Sequence, residues 1–357
     1  MPRFENNIMG LIPREEWLDI PFQVNNPQNP IDQLFGDVKT DNLVAYWETI
    51  AAQYQVPLMA QFHGFDTEAQ KTFRVPVDTH NIEKGLIKVK IDQSERMRAL
   101  LRAGVQNDDL YDYVINDGIR LAEQVITRTK VAKNELMAKG EVTIKENNLD
   151  LTVDYGVPDA QKNLSIDFGV GADAPVDEQL EELVATALAG GNVLNGFMTS
   201  RATLNKFRKD AAIKKAINGS LNDSLLSVAD LRAYLSEEYG LNNIIINDAT
   251  YGVPGPIVNG RPTVISKRYF PEAGITFFAT PNGGEKLGDG LWGDPPETDA
   301  GVNEDTTAST QSPYVYIKQW HENDPEILWT KASTLFMPVL YKPDSLYIAT
   351  ATNTAGG

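Results

Sequence analysis

Between Asn107 and Gly140 the chain carries the signal that most limits its fold: Leu110, Val114, Gly118, Leu121, Val125, Thr129, Ala132 and Leu136 recur at spacings of three and four. That spacing puts all of them on one stripe of an α-helix. Both ends are marked. Asn107 can cap the first turn, and Asp108, Asp109 and Asp112 sit at the positive end of the dipole. Lys130, Lys133 and Lys139 lie toward the negative end, and Gly140 supplies the stop. The pattern predicts a helix from Asp108 to Ala138 that spans on the order of 45 Å at about 1.5 Å per residue. Ordinary globular helices have about three or four turns, so this one is a spine for the molecule.

After the helix the period changes to two. Val142 and Ile144 alternate with polar residues, Asn147-Asn148 supplies a turn, and Leu149, Leu151, Val153 and Tyr155 alternate again, which reads as a hairpin. Pro158 to Pro175 reads as a connection. Asp177 to Ala189 reads as a helix with Leu180, Leu183, Val184, Ala187 and Leu188 facing inward. A strand near Asn192 to Thr199 follows, then helices from Arg201 to Ile217, capped by Ser200, and from Val228 to Tyr239. Strands are expected near Asn243 to Asn247 and Gly274 to Thr280. Pro281 to Ala308 is rich in Gly, Pro, Asp and Thr and reads as a long loop or crossover. The chain then returns to β through Tyr314 to Ile317, Ile327 to Ala332, Leu335 to Leu340 and Ser345 to Thr350, with turns at Asn323-Asp324-Pro325 and Lys342-Pro343-Asp344. The fold class is α+β, and a discontinuous first unit follows from that return.

Before the helix the chain is uneven. From Met1 to about Pro57, Trp17, Phe22, Phe35, Tyr46 and Trp47 are scattered among prolines that favour extended backbone. A segment packed on its own domain explains these residues, and so does an arm that docks elsewhere. Lys71 to Val77 and Leu86 to Ile91 have strand patterns, with turn residues Gly64, Asp66 and Thr67 before them and Asp78, Asn81 and Gly85 between them. Pro57 to Ile91 is thus a long β excursion with no obvious core partner.

At 357 residues, two folding units are expected. The 32 Lys and Arg against 49 Asp and Glu leave a net charge of −17, which argues against wrapping nucleic acid through the whole surface. It suits an acidic enzyme and equally a container whose wall must not hold what it encloses. No cysteine is available for a disulfide or a thiolate site, in keeping with a reducing cytosol. Met1 to Gly10 lacks the apolar run of a signal peptide and no stretch has the length of a spanning helix, so the chain is expected to be soluble and unexported, with no membrane partner.

Candidate chemistry is thin. His63, His80 and His321 have no metal-ligand spacing, so no metal is expected. Asp78-Thr79-His80 could pair a base with its orienter but reads as a solvated turn. Gly190 to Gly196 is glycine-rich without the Lys-Ser/Thr pair of a phosphate loop, and the prolines at 254, 256 and 262 with Gly260 punctuate hairpins. The acid pairs Glu181-Glu182 and Glu237-Glu238 belong to helix surfaces. Arg201, Lys206, Arg208, Lys209, Lys214 and Lys215 form the best basic set, which fits a solvated helix face. No catalytic residue and no cofactor is expected.

Three stretches, in this order, resemble one known family. Ala138 to Ile144 running into Leu151 to Gly156 is similar to its spine helix passing into a hairpin, and Gly196 to Arg201 through Leu204 and Phe207 to Lys214 to a strand-to-helix step. Tyr316 to Trp320, Asp324 to Glu326, Ser333 to Leu340 and Pro343 to Tyr347 are similar to its closing strands. The family is that of the lambda-type major capsid protein of tailed phages, capsid protein E, with the HK97-like fold. The likeness runs from about Pro57 to Thr350 and is weak before it.

The resemblance implies an N-terminal arm at 1–56, an extended β loop at 57–93, a peripheral domain at 94–164 and 314–357 built on the spine helix, and an axial domain at 165–313. It implies a non-enzymatic shell protein whose copies form hexamers and pentamers of an icosahedral phage head around double-stranded DNA, without sequence-specific DNA binding. Scaffold, portal and decoration proteins would be its partners, the virion its location and the host cytoplasm its place of assembly. The loop would reach over a neighbouring subunit, giving inter-subunit contacts at Phe62, Phe65, Phe73 and Ile87, with Trp17 and Phe22 on the arm. The lysine and asparagine that crosslink some relatives match no position here. An encapsulin-like cargo compartment, another phage structural part, and a two-domain cytosolic enzyme with a ligand near Tyr251 to Arg261 are the alternatives.

Overall fold

The computed structural model describes residues 28–49, 59, 74, 76–93, 107–147, 149–169, 174–219, 224–280, 286–298, 306–312, 314–324 and 326–354. A 3-10 turn, Pro30–Gln33, leads into β1 (Phe35–Lys39), β2 (Val44–Thr49), β3 (Asp78–Glu83) and β4 (Gly85–Gln93). Helix α1 (Asn107–Lys139) and the hairpin of β5 (Glu141–Glu146) and β6 (Leu149–Asp154) follow. Then come β7 (Leu164–Asp167), α2 (Val176–Ala189), β8 (Gly196–Thr199), α3 (Arg201–Lys209), α4 (Ala211–Asn218), α5 (Val228–Tyr239) and β9 (Asn243–Ile246). The chain ends with β10 (Thr250–Val258), β11 (Arg261–Arg268), β12 (Gly274–Phe278), β13 (Gly288–Gly293), β14 (Thr306–Ser312), β15 (Val315–Asn323), β16 (Glu326–Leu340) and β17 (Leu346–Thr352).

The first sheet has the order β1-β13-β16-β15-β14, with β4 also paired to β16. β16 is one continuous strand where two were expected, because Ser333 and Thr334 are buried and stay in the ladder; the Thr334 hydroxyl donates to the Tyr314 carbonyl at 2.6 Å. β4 runs antiparallel to β16 from Gly85 opposite Phe336 to Gln93 opposite Leu328. The strand expected to lack a partner therefore has one in its own chain. Ile87, Val89 and Ile91 alternate onto the core side of that strand and pack there. Ile87, one of the expected inter-subunit contacts, is thus partly buried against the core of its own chain.

Two further departures come from polar or glycine-rich strands. Asp78 to Glu83, read as turn residues, is β3, paired with β2 in a two-stranded ribbon. This strand tolerates Asp and Asn because most of β3 faces water; His80 is held by stacking on Trp47, with ring centroids 5.3 Å apart. β13 lies inside the stretch read as a long loop, and pairs parallel with β1 and antiparallel with β16. Its glycines serve close approach and not turning: a Cβ on Gly288 would lie 1.9 Å from the Val339 carbonyl oxygen, and one on Gly290 2.7 Å from the Phe336 ring.

The second sheet has the order β7-β17-β12-β8-β9. β7 lies in the stretch read as a connection, and β17 joins this sheet although the closing strands were all expected in the first unit. The strands alternate between two cores. Met198, Phe278, Leu346 and Ile348 face the core shared with α1 and the first sheet, while Phe197, Ile275, Phe277, Tyr347 and Ala349 face α2 to α5. α1 lies between the layers, and the Thr276 hydroxyl donates to the Met137 carbonyl at 2.8 Å.

The helices follow the expected spans with two corrections. The helix expected from Arg201 to Ile217 is broken at Asp210, whose extended backbone ends α3 and whose carboxylate accepts from the Ala212 and Ile213 N–H groups to cap α4. Leu188, expected inward, is 62% exposed, because Val176, Leu180, Leu183 and Ala187 already complete the buried stripe of α2 and Leu188 is one residue off it. In the β5–β6 hairpin, Asn147 takes the left-handed turn conformation, φ 49°; Val153 is buried and Leu149 and Leu151 are exposed.

Candidate assembly surfaces

Two kinds of surface stand out among the described residues: those that fasten the N-terminal segment and the start of β4, and those the fold leaves uncovered. The root of the N-terminal segment is of the first kind. Ile31, Leu34, Phe35, Ala45 and Trp47 are buried, so the described part of this segment is packed on its own chain. Lys130 and Lys133, placed by the sequence toward the negative end of the helix dipole, are buried on α1. Their ammonium groups reach Asp32 at 3.1 Å and Asp37 at 2.8 Å. Asp37 also accepts from the Trp292 indole N–H at 2.6 Å, which ties β1, α1 and β13 together. Asn134 and Asn247 carry the fastening onward, with the Asn247 amide donating to Asn134 Oδ1 at 2.7 Å.

The start of β4 is fixed in the same way. Lys84 is buried and donates to the Thr40 carbonyl at 2.8 Å and the Trp292 carbonyl at 3.1 Å. Burial pushes this ammonium below its ordinary range, while Asp41 and Asp294 hold it part of the way up. Residues 57–93, the expected reaching loop, thus end on a fixed root.

The outer face of the first sheet carries an aromatic ladder. Trp320 and Trp329 are direct cross-strand partners with centroids 6.2 Å apart; Lys90 lies over Trp329 at 3.7 Å, and the Trp329 indole donates to Glu322 at 2.8 Å. Beside it Lys331 pairs with Glu297. Burial alone would raise the Glu297 carboxyl, but the hydrogen bond and charge of Lys331 hold it below the usual carboxylate range.

Among the described residues, the β10–β11 hairpin leaves a group of apolar side chains bare. Its root is rigid: Tyr251 and Tyr269 pack with ring centroids 4.9 Å apart, and Arg268 pairs with Asp248 at 2.5 Å. Burial raises the Tyr269 hydroxyl above its ordinary range, a hydrogen bond with Thr127 of α1 offsetting part of that. Beyond the root, Ile257, Val258, Val264 and Ile265 are exposed. A two-stranded hairpin of this length is marginal alone and gains stability from a covering surface. The junction near Tyr251 to Arg261, considered for a ligand, is this projecting hairpin and not a cleft.

Of the sequence-predicted contact residues, Trp17, Phe22, Phe62, Phe65 and Phe73 lie outside the described residues, and Ile87 packs on its own core. Among the described residues no group of three or more His, Asp or Glu could hold a metal ion, and no helix is long and apolar enough to cross a membrane. Lys84, Lys130 and Lys133 were missed as anchors, since nothing in a sequence marks a lysine as buried. The hairpin had a visible signal, a run from Ala249 to Pro271 without an acid.

A family model described as phage major capsid protein E matches residues 64–351. No curated protein is matched by sequence. Among solved structures, a candidate capsid protein of a prophage of Escherichia coli CFT073 is similar at 11% identity, over 95% of this chain and 99% of that one, with a TM-score of 0.56. A phage-related protein of Bordetella bronchiseptica RB50 is similar at 10% identity, over 94% of this chain and 96% of that one, with a TM-score of 0.49. A chain of Mycobacterium phage Adephagia is similar at 12% identity, over 92% and 91%, with a TM-score of 0.47. The first of these likenesses carries the fold.

Proposed function

This chain belongs to the phage major capsid protein E family, and from that premise we propose that its copies close into rings of six and five that build an icosahedral head around double-stranded DNA. It is a structural protein of the virion shell and not an enzyme. The observation that carries the proposal is the family match across residues 64–351, read on a fold with two sheets on either side of one long helix. The first sheet with α1 is the peripheral part, and the second sheet with α2 to α5 the axial part around the ring axes. The loop at 57–93 is rooted in its own subunit through β3 and β4 and reaches over the next subunit ahead of them, with Phe62, Phe65 and Phe73 as contacts, and Trp17 and Phe22 dock the arm. Assembly takes place in the host cytoplasm with scaffold, portal and decoration proteins, and the acidic chain encloses DNA without sequence-specific binding.

The test is electron microscopy and sedimentation of the recombinant chain, alone and with its co-expressed scaffold. Hollow particles or six-fold rings are expected; a compact monomer or dimer under both conditions overturns the proposal. Deleting residues 64–70 is expected to leave a folded subunit that forms no rings, and normal shells from that deletion overturn the role of the loop.

A further inference from the structure

We propose that the β10–β11 hairpin of one copy docks on the outer face of α2 in the next copy around the ring, an inference that rests on the shell function above. The two surfaces are opposite in charge and alike in exposing apolar side chains. From Ala249 to Pro271 the chain has no Asp or Glu but carries Arg261, Lys267 and Arg268, within a protein of net charge −17. Arg268 is taken up by Asp248, while Arg261 and Lys267 are exposed. Beside them Ile257 is 74% and Val264 75% exposed. From Ala174 to Ser200 the pattern inverts: there is no Lys, Arg or His, and Glu178, Glu181 and Glu182 line the exposed face of α2. That face ends in Leu188, 62% exposed, with Val193, 70% exposed, in the turn beyond.

The topology keeps the two surfaces apart within one chain and so directs the contact to a neighbour. The hairpin springs from the end of β9, one edge of the second sheet, whereas α2 packs over β7 at the other edge. There the Gln179 amide donates to the Asp167 carbonyl at 3.0 Å and accepts from the Asp167 N–H at 2.9 Å. With strands about 4.8 Å apart, the edges are separated by about 19 Å. A contact between unlike surfaces from opposite edges is heterologous, the kind that repeats head to tail and closes a ring. The packed tyrosines and the Asp248 pair hold the hairpin in place before docking, which lowers the ordering cost, and the opposite charges set orientation.

The experiment uses the full chain under conditions in which the unaltered protein forms shells, read by sedimentation and electron microscopy. One variant carries Arg261→Glu and Lys267→Glu, a second carries Glu178→Lys and Glu182→Lys, and a third carries all four. Each double reversal is expected to lower the shell fraction at least about tenfold with an unchanged melting profile of the subunit, and the fourfold variant to restore it. Double reversals that assemble as the unaltered chain does, or a fourfold variant no better than they are, overturn the inference and leave the shell function standing. Failure of the unaltered chain to form shells would instead overturn that function, and this contact with it.

Discussion

The ion pair between Lys133 and Asp37 makes an asymmetric prediction. The Lys133 side chain is 2% exposed and that of Asp37 31% exposed. Among the described residues Lys133 has only Asp37 at 2.8 Å and the Gly36 carbonyl at 3.2 Å, whereas Asp37 is partly open to solvent and also holds the Trp292 indole. Asp37→Asn strips the countercharge from a fully buried ammonium, a change that costs on the order of 3 kcal/mol. Lys133→Met keeps the volume and leaves a carboxylate that retains its indole donor and much of its hydration, so about 1.5 kcal/mol is expected. The double variant has no stranded ion and is expected to cost no more than Asp37→Asn alone, a coupling of about 1.5 kcal/mol or more. Urea unfolding of the soluble subunit, followed by tryptophan fluorescence and compared at constant slope, measures all three. Lys133→Met costing as much as Asp37→Asn, or strictly additive costs, would refute the reasoning from exposure.

Burial raises the Asp117 carboxyl above its usual range, with Gln93 and Arg120 pulling it part of the way back. A raised folded value means that the charged form costs stability at neutral pH, a cost relieved as pH falls through that value. Asp117→Asn is therefore expected to stabilise the subunit by about 1 kcal/mol near pH 7 and by nothing near pH 3; equal gains at both, in pH-resolved thermal melts, would count against it. Gly288→Ala puts a methyl 1.9 Å from a backbone oxygen that cannot move without breaking the β13–β16 ladder, and a loss of about 3 kcal/mol is expected in urea titrations. Asp210→Ala removes both cap bonds of α4 and is expected to cost about 1 kcal/mol; an unchanged melting temperature would mean that the break between α3 and α4 is set by other contacts.

The elements legible in the sequence were those whose cause is local. α1 was readable to within a residue at each end, because a stripe at helical spacing and a stop glycine lie within the segment itself. The β5–β6 hairpin was readable because its turn sequence lies between alternating runs. α2, α5 and the start of α3 after Ser200 followed for the same reason, whereas the break at Asp210 did not. The basic, acid-free character of the hairpin run and the acidic character of α2 are likewise properties of short stretches.

What only the tertiary structure decided is where distant backbones approach. β13 reads as a loop because its glycines are loop residues by local preference, yet they are required by the Val339 backbone, Phe336 and Lys133, all remote in sequence. β17 joins the second sheet because its partners, β7 and β12, lie far upstream and no local pattern names a partner. Lys130 and Lys133 became anchors because Asp32 and Asp37 reach them across the fold; from the sequence they differ in nothing from solvated lysines of a helix end. Periodicity, caps and charge runs act over a few residues and were set by the sequence alone, whereas close approach, burial of ions and sheet membership arise only when segments far apart in the chain meet.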